Sequence, residues 1–349
     1  MSDFAPVDDV VRTAIQEGAF PGAVVEVGRS TGALWQVARG TLALGSDSPE
    51  TTLESVYDLA SLTKVISTTT LAMRAVDRHG LDLDEPLRLR LPFWRGEDRA
   101  SVSIRDLLAH ASGLTAYLPF FRDHTGRAEF ERAICTMPLE YVPRTQALYS
   151  DLGFILLGFV LEDVYGTSLA DTFAQVVDEH GWGALRFRPP SDWLSRTAPT
   201  EVDAWRGRLL VGEVHDENAW ALGGMAGHAG LFGTVSAVGR FAQTVAAGFH
   251  ALPTIASQPT FHRFVSQTDV PGSSRALGWD TMRPTSSCGT RMSPESVGHT
   301  GFTGTSLWID PQADLYVVLL TNRVHPSRDN DAILRVRPAL HDTVMRAAM

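Results

Sequence analysis

The chain has 349 residues, 44% of them hydrophobic, and a formal net charge of -10. That length and apolar content suffice for one large domain or two interleaved domains with a sizeable core. The negative balance, with no basic stripe along the chain, argues against nucleic acid or an anionic membrane as a partner.

The opening residues Met1-Ser-Asp-Phe-Ala-Pro-Val-Asp-Asp9 are acidic where a secretory signal is basic and then apolar, so a cytoplasmic location is expected. Val7, Val10, Val11, Ala14 and Ile15 recur at helical spacing, and Gly18 with Pro21-Gly22 supplies a stop. Two apolar runs, Ala23 to Gly28 and Ala33 to Ala38, flank Arg29-Ser-Thr-Gly32 and read as a hairpin. After a polar stretch from Gly45 to Thr52 comes Val56-Tyr-Asp-Leu-Ala-Ser61-Leu-Thr-Lys64. Here Leu62, Val65, Ile66, Thr69, Ala72, Met73 and Val76 predict a helix with one buried face, ending near His79-Gly80.

Lys64 is the one lysine in the chain, so twenty-nine of the thirty basic residues are arginine. Arginine stays protonated at physiological pH and cannot act as a base, whereas a desolvated lysine can. Ser61 precedes Lys64 by three residues, which on a helix puts both side chains on one face. A helix start beside Ser61 would also favour negative charge developing there. By itself Ser-x-x-Lys is weak, since it arises by chance about once or twice in a chain this long.

Further on, Ser103-Ile-Arg-Asp106 reads as a capping box for a short helix that ends at Gly113. His110, near that end, is expected to donate to backbone rather than to act as a base. Tyr149-Ser-Asp151 opens Phe154 to Leu161, apolar almost all round and so a central buried helix. Leu169 to Val177, Val235 to Phe249 and Pro259 to Val265 also read as helices. Between them lie a loop-rich stretch with Trp182, Trp193 and Trp205, and a run from Leu222 to Gly233 with five glycines. His215, Asp216, Glu217 and His228 match no familiar metal spacing, so no metal is expected and loop ordering by hydrogen bonds is the better reading. Cys135 and Cys288 stand far apart and read as buried, reduced thiols. No apolar run approaches the roughly twenty residues that span a bilayer.

The last hundred residues read as strands at Leu277 to Met282, Ser296 to Phe302, Thr305 to Asp310 and Leu315 to Thr321, followed by a helix over Ala332 to Met345. The simplest assembly is an α+β (α/β) fold in which strands from both chain ends share one antiparallel sheet, flanked by the N- and C-terminal helices. A mostly helical domain is inserted between them. The expected division is 1–60 with 270–349 as the sheet domain and 61–269 as the helical one, with the serine helix at their interface.

Three boxes thus stand in order: Ser61-x-x-Lys64, Tyr149-x-Asp151 and His299-Thr300-Gly301. Together they resemble the serine β-lactamase and penicillin-binding protein superfamily, and in particular class C β-lactamases, the related DD-peptidases and the family VIII carboxylesterases. Leu107-Leu-x-His-x-Ser-Gly-Leu114, Gly230-Leu-Phe-Gly-Thr234 and Leu277-Gly-Trp279 extend the likeness over nearly the whole chain. The resemblance implies a β-lactamase-like fold and a cofactor-free hydrolase acting on a small ester, amide or lactam. Ser61 would be the nucleophile, forming an acyl-enzyme. Lys64, its pKa lowered by desolvation, would be the base, and Tyr149 would shuttle the proton. The N–H groups of Ser61 and Phe302 would form the oxyanion hole. Asp151, His299, Thr300 and Gly301 would line the substrate.

Two positions depart from the family's usual pattern. Asp151 stands where asparagine is commoner, and a carboxylate accepts hydrogen bonds only and draws the Lys64 ammonium toward it. His299 stands where many members carry lysine, and a neutral imidazole offers a substrate carboxylate little. Both favour a carboxylate-free ester, so a carboxylesterase is the expected activity. The alternatives are a DD-carboxypeptidase or weak β-lactamase using the same residues, and an inactive binding protein of the same fold. The retained lysine speaks against the last.

Overall fold

The computed structural model describes residues 3–348; Met1 and Ser2 of the acidic N-terminal stretch, and Met349, lie outside them. A six-stranded antiparallel sheet forms the centre of one half. Its strands are β1 (Gly22–Arg29), β2 (Gly32–Gly40), β3 (Asp280–Thr281), β4 (Val297–Thr300), β5 (Ser306–Asp310) and β6 (Leu315–Thr321), in the spatial order β2-β1-β6-β5-β4-β3. The first and last parts of the chain meet where β1 pairs with β6, Ala23 opposite Thr321 through Gly28 opposite Tyr316.

Every residue of β6 is buried, because both faces of the sheet are covered. Leu315, Val317 and Leu319 pack with the terminal helices α1 (Ala5–Gln16) and α5 (Ile333–Ala348). Tyr316, Val318 and Leu320 belong to the larger core, which runs through α4 (Val235–Phe249) to α2 (Thr70–Arg78) and the central α3 (Asp151–Tyr165). Side chains alternate across a strand, so a strand covered on both faces reads as a continuous apolar run. α3 is buried from Leu152 to Leu161, and Gly166 ends it with φ 67°. No single helix among the described residues is long and apolar enough to cross a membrane.

Several boundaries differ from those read in the sequence. The serine helix is π-helical over Lys64–Thr69 and α-helical from Thr70 onward. One of its buried hydroxyls takes an outside partner: Thr68 Oγ1 donates to the Gly227 carbonyl at 2.6 Å. Such wide turns recur at functional sites. The helix after Ser103 spans only Ile104–Leu108, and His110, two residues beyond its end, adopts a left-handed φ of 55°. The strand expected over Leu277 to Met282 shrinks to Asp280–Thr281, because the N–H groups of Leu277 and Gly278 bond to Phe264 and Leu108 instead of the sheet.

Candidate active site

Ser61 sits in a turn that follows the short strand Tyr57–Asp58, which pairs with Leu231–Gly233. Ala60, just before it, has φ 46°, a left-handed conformation that costs a non-glycine residue on the order of 1–3 kcal/mol. The turn is held from several sides. The buried Asp58 carboxylate accepts from the N–H of Ala60 at 2.8 Å and of His215 at 2.7 Å, while Thr63 Oγ1 donates to the Ala60 carbonyl at 2.6 Å. From just past the third box, Thr303 Oγ1 donates to the Asp58 carbonyl at 2.7 Å and Thr305 Oγ1 to that of Leu59 at 3.1 Å. A methyl group at Gly301 would collide with Thr305 Oγ1 and the Leu59 carbonyl oxygen, so only glycine lets the third box approach the serine turn this closely.

Lys64 is fully buried, and its ammonium has all three protons placed. They go to Ser61 Oγ at 3.0 Å, Asp151 Oδ1 at 2.7 Å and the His228 carbonyl at 3.1 Å. Burial pushes the ammonium pKa down, but the Asp151 carboxylate and the Tyr149 phenol outweigh it, so the pKa lies above its ordinary value. The lowered pKa expected from desolvation alone is therefore corrected: a charge partner at contact distance wins. Lys64 rests as a cation that donates to the serine oxygen.

Tyr149 lies between the other two boxes. The Lys64 Nζ is 4.9 Å and the Arg275 guanidinium 5.2 Å from its ring centre, and the rings of His110 and His299 stand 4.7 and 5.6 Å away. Burial pushes its phenol up in pKa, with Lys64 pulling the other way. His110 bonds to backbone as expected, but as an acceptor: its Nδ1 takes the Ser150 N–H at 3.0 Å. His299 Nδ1 donates to the Thr300 carbonyl at 2.8 Å, which leaves Nε2 as a buried lone pair with no partner among the described residues. Burial, then the charges of Arg275 and Lys64, push its pKa well below the usual histidine value, so it is neutral.

Ser61, Tyr149, Asp151, His299, Thr300, Gly301 and Phe302 all line one cavity of about 690 Å³. Neither the Ser61 nor the Phe302 N–H donates to an acceptor among the described residues. With Lys64 directly behind Ser61, the structure thus brings every site residue named from the sequence together. It also adds four arginines, Arg275, Arg323, Arg328 and Arg337. Arg323 and Arg337 have no carboxylate within 4 Å among the described residues and bond to carbonyls, Arg323 to Phe302 and Arg337 to Gly301 and Thr305. Burial, then the Arg323 charge, pushes Arg337 down to about 9, which leaves it cationic at neutral pH. Nothing in the sequence marks these four, because in a chain with twenty-nine arginines another arginine carries no signal.

The stretch from 214 to 233 is ordered by hydrogen bonds, in line with its sequence. His215 Nε2 meets Glu201 Oε2 at 2.8 Å, and His228 Nε2 meets Asp216 Oδ1 at 2.8 Å. Asp216 also caps the helix Glu217–Ala221 by accepting the Ala219 N–H at 2.7 Å. Burial alone would raise the Asp216 pKa, but His228 and that N–H hold it well below the carboxylate range. Among the described residues no cluster of three or more His, Cys, Asp or Glu side chains could hold a metal ion.

A serine turn, a buried lysine and a tyrosine box facing a His-Thr-Gly strand, set between an antiparallel sheet and a helical layer, define a serine hydrolase of the β-lactamase type. The family profile described as Beta-lactamase matches residues 7–340, and the chain belongs to that family. A protein of Escherichia coli (strain K12), provisionally named a D-alanyl-D-alanine carboxypeptidase, is 29% identical over 309 residues, covering 78% of this chain and 70% of its own. Among solved structures, EstCE1, described as a hydrolase with promiscuous acyltransferase activity, has a TM-score of 0.75 at 23% identity and covers 96% of this chain and 97% of its own. A class C β-lactamase from Rhodobacter sphaeroides has a TM-score of 0.76 at 21% identity, covering 97% and 98%. At these identities the two structures establish the fold.

Proposed function

We propose that the protein is a carboxylesterase that works through an acyl-Ser61 intermediate. The observation that carries the reading is the 3.0 Å contact between Lys64 Nζ and Ser61 Oγ at the floor of the cavity. Attack needs the Ser61 proton to leave. The free-amine form of Lys64 takes the serine proton across the 3.0 Å contact, with Tyr149 passing it to the leaving group. The oxygen of the tetrahedral intermediate is received by the free N–H groups of Ser61 and Phe302. Water then releases the acyl group by the same steps in reverse.

The ion pair with Asp151 keeps the free-amine form of Lys64 scarce. A weakly activated serine suits esters, whose carbonyl is more reactive and whose alcohol leaves more readily than the amine of an amide. His299 adds to this, since its neutral Nε2 offers a hydrogen-bond acceptor where a fixed cation would call for a carboxylate.

A second reading is supported by Arg323 and Arg337. Two guanidiniums without carboxylate partners would attract a substrate carboxylate, such as the C-terminus of a peptide. This favours a D-alanyl-D-alanine carboxypeptidase, the activity named for the Escherichia coli relative.

The deciding experiment compares turnover of p-nitrophenyl butyrate with that of a peptide ending in D-Ala-D-Ala, and records the intact mass of the protein during each reaction. Ester turnover that vanishes in Ser61→Ala, with a butyryl adduct on the wild type, is expected. Turnover of the peptide alone would replace the ester reading by the second, and a wild type inert to both would leave a binding protein.

A further inference from the structure

Beside the mouth of the cavity stands an aromatic shelf that the reaction at Ser61 does not use. Trp205 is 46% exposed, Trp220 38% and Tyr117 40%. The two tryptophans are not scattered. Phe121 meets Trp205 edge-on at 4.6 Å between ring centres, and Trp205 meets Trp220 edge-on at 5.3 Å. Isolated exposed aromatics are ordinary, but a contiguous rigid set presents an apolar surface that water covers poorly.

The shelf is built and anchored. Fully buried Asn218 accepts the Phe121 N–H at 2.9 Å and donates to the Leu118 carbonyl at 2.9 Å, clamping the 117–121 loop to the helix Glu217–Ala221 that carries Trp220. Trp220 Nε1 donates to Glu213 Oε2 at 3.0 Å, which fixes the ring. The shelf is also continuous with the site. Tyr117 and Glu217 form part of the cavity wall, and the carbonyl of Ala116 accepts the Asp151 N–H at 2.9 Å. The nearby acids are already paired, Glu213 with Arg208 at 2.7 Å and Glu217 with Arg328 at 2.8 Å, and the one cation beside the rings without a carboxylate partner among the described residues is the exposed Arg122, 5.8 Å from the Phe121 ring centre.

We propose that this shelf is a subsite for a neutral apolar arm, a medium-length alkyl or an aryl group, on the ester whose carbonyl meets Ser61. The proposal rests on the ester-hydrolase reading and adds the substrate class. Such an arm leaves the cavity past Tyr117 and lies against the Trp205 and Trp220 rings. Each methylene that leaves water on the shelf favours the longer ester by up to about fourfold.

The test is a series of p-nitrophenyl esters from acetate to octanoate, with kcat/KM measured for the wild type, Trp205→Ala and the double variant Trp205→Ala/Trp220→Ala. The wild type is expected to favour octanoate over acetate by at least about tenfold, and the double variant to lose most of that ratio. Turnover of acetate separately reports whether Ser61 works at all. Binding of octanoate ester to Ser61→Ala, followed by quenching of tryptophan fluorescence, gives a readout that needs no turnover and is expected to weaken at least tenfold when Trp205 is truncated. A chain-length ratio and a binding curve that are the same with and without the two tryptophans would overturn the proposal and assign the shelf to contact with a protein or a lipid surface.

Discussion

Lys64 stands out in the sequence because it is alone among arginines. Its charge does not show there, since that depends on Asp151, eighty-seven residues away in sequence and 2.7 Å away in space. If the amine is the base, charge without a removable proton is useless. Lys64→Arg is therefore expected to lose at least about a hundredfold in kcat on an ester, close to Lys64→Ala, and near-wild-type turnover in the arginine variant would remove Lys64 from the base role. Asp151 sets the pH at which the base becomes available. Its carboxylate raises the Lys64 pKa, so activity that requires the free amine rises only at alkaline pH. The substitution Asp151→Asn removes the attraction and moves the rising limb of kcat/KM toward lower pH. A limb that stays in place would show that another group titrates there. The arginines of the cavity are invisible in the sequence for the opposite reason to Lys64: their residue type is the background.

At the scale of elements, turn and helix signals locate most segments, and tertiary partners move their ends. The capping box at Ser103 is present, with Asp106 closing it, yet the helix stops at Leu108 because the chain turns to deliver His110 to the Ser150 N–H. The π-helical stretch of the serine helix has no periodic signature in the sequence, since it arises from contacts of Thr68 with a loop 159 residues on. That loop is braced in turn by Glu201, which holds His215 at 2.8 Å and Arg328 at 2.6 Å. Burial alone would raise the Glu201 pKa, but these partners bring it from its ordinary 4.5 to about 2. A carboxylate whose pKa is depressed on folding contributes stability above pH 4.5 and loses it as pH falls from 4.5 toward 2. Glu201→Gln is accordingly expected to be less stable by on the order of 3 kcal/mol at about pH 7, with the gap closing near pH 2. Urea unfolding at the two pH values checks this, and an equal gap at both would exclude ionic bracing by Glu201.

For the whole molecule, the sheet joins the two chain ends through β1 and β6, so its core is shared by residues roughly three hundred positions apart. Leu319 is fully buried on the face under the terminal helices, away from the cavity. Leu319→Ala is expected to cost about 2–5 kcal/mol in chemical denaturation while ester kcat/KM in the folded protein stays within a few fold. A loss of activity without a loss of stability would mean that the two faces of the sheet are coupled to the site. Local pattern alone specified most strands of the large sheet, most helices and the order of the three boxes, because periodicity, capping and turn chemistry act over a few residues. It also specified a chemistry, since only one residue in the chain could give up a proton as an amine side chain. Tertiary structure alone decided the charge on Lys64, the neutrality of His299, the free N–H pair and the arginines and aromatic shelf around the cavity. Those depend on desolvation and on distances between segments far apart in sequence, and neither quantity exists until the chain has folded.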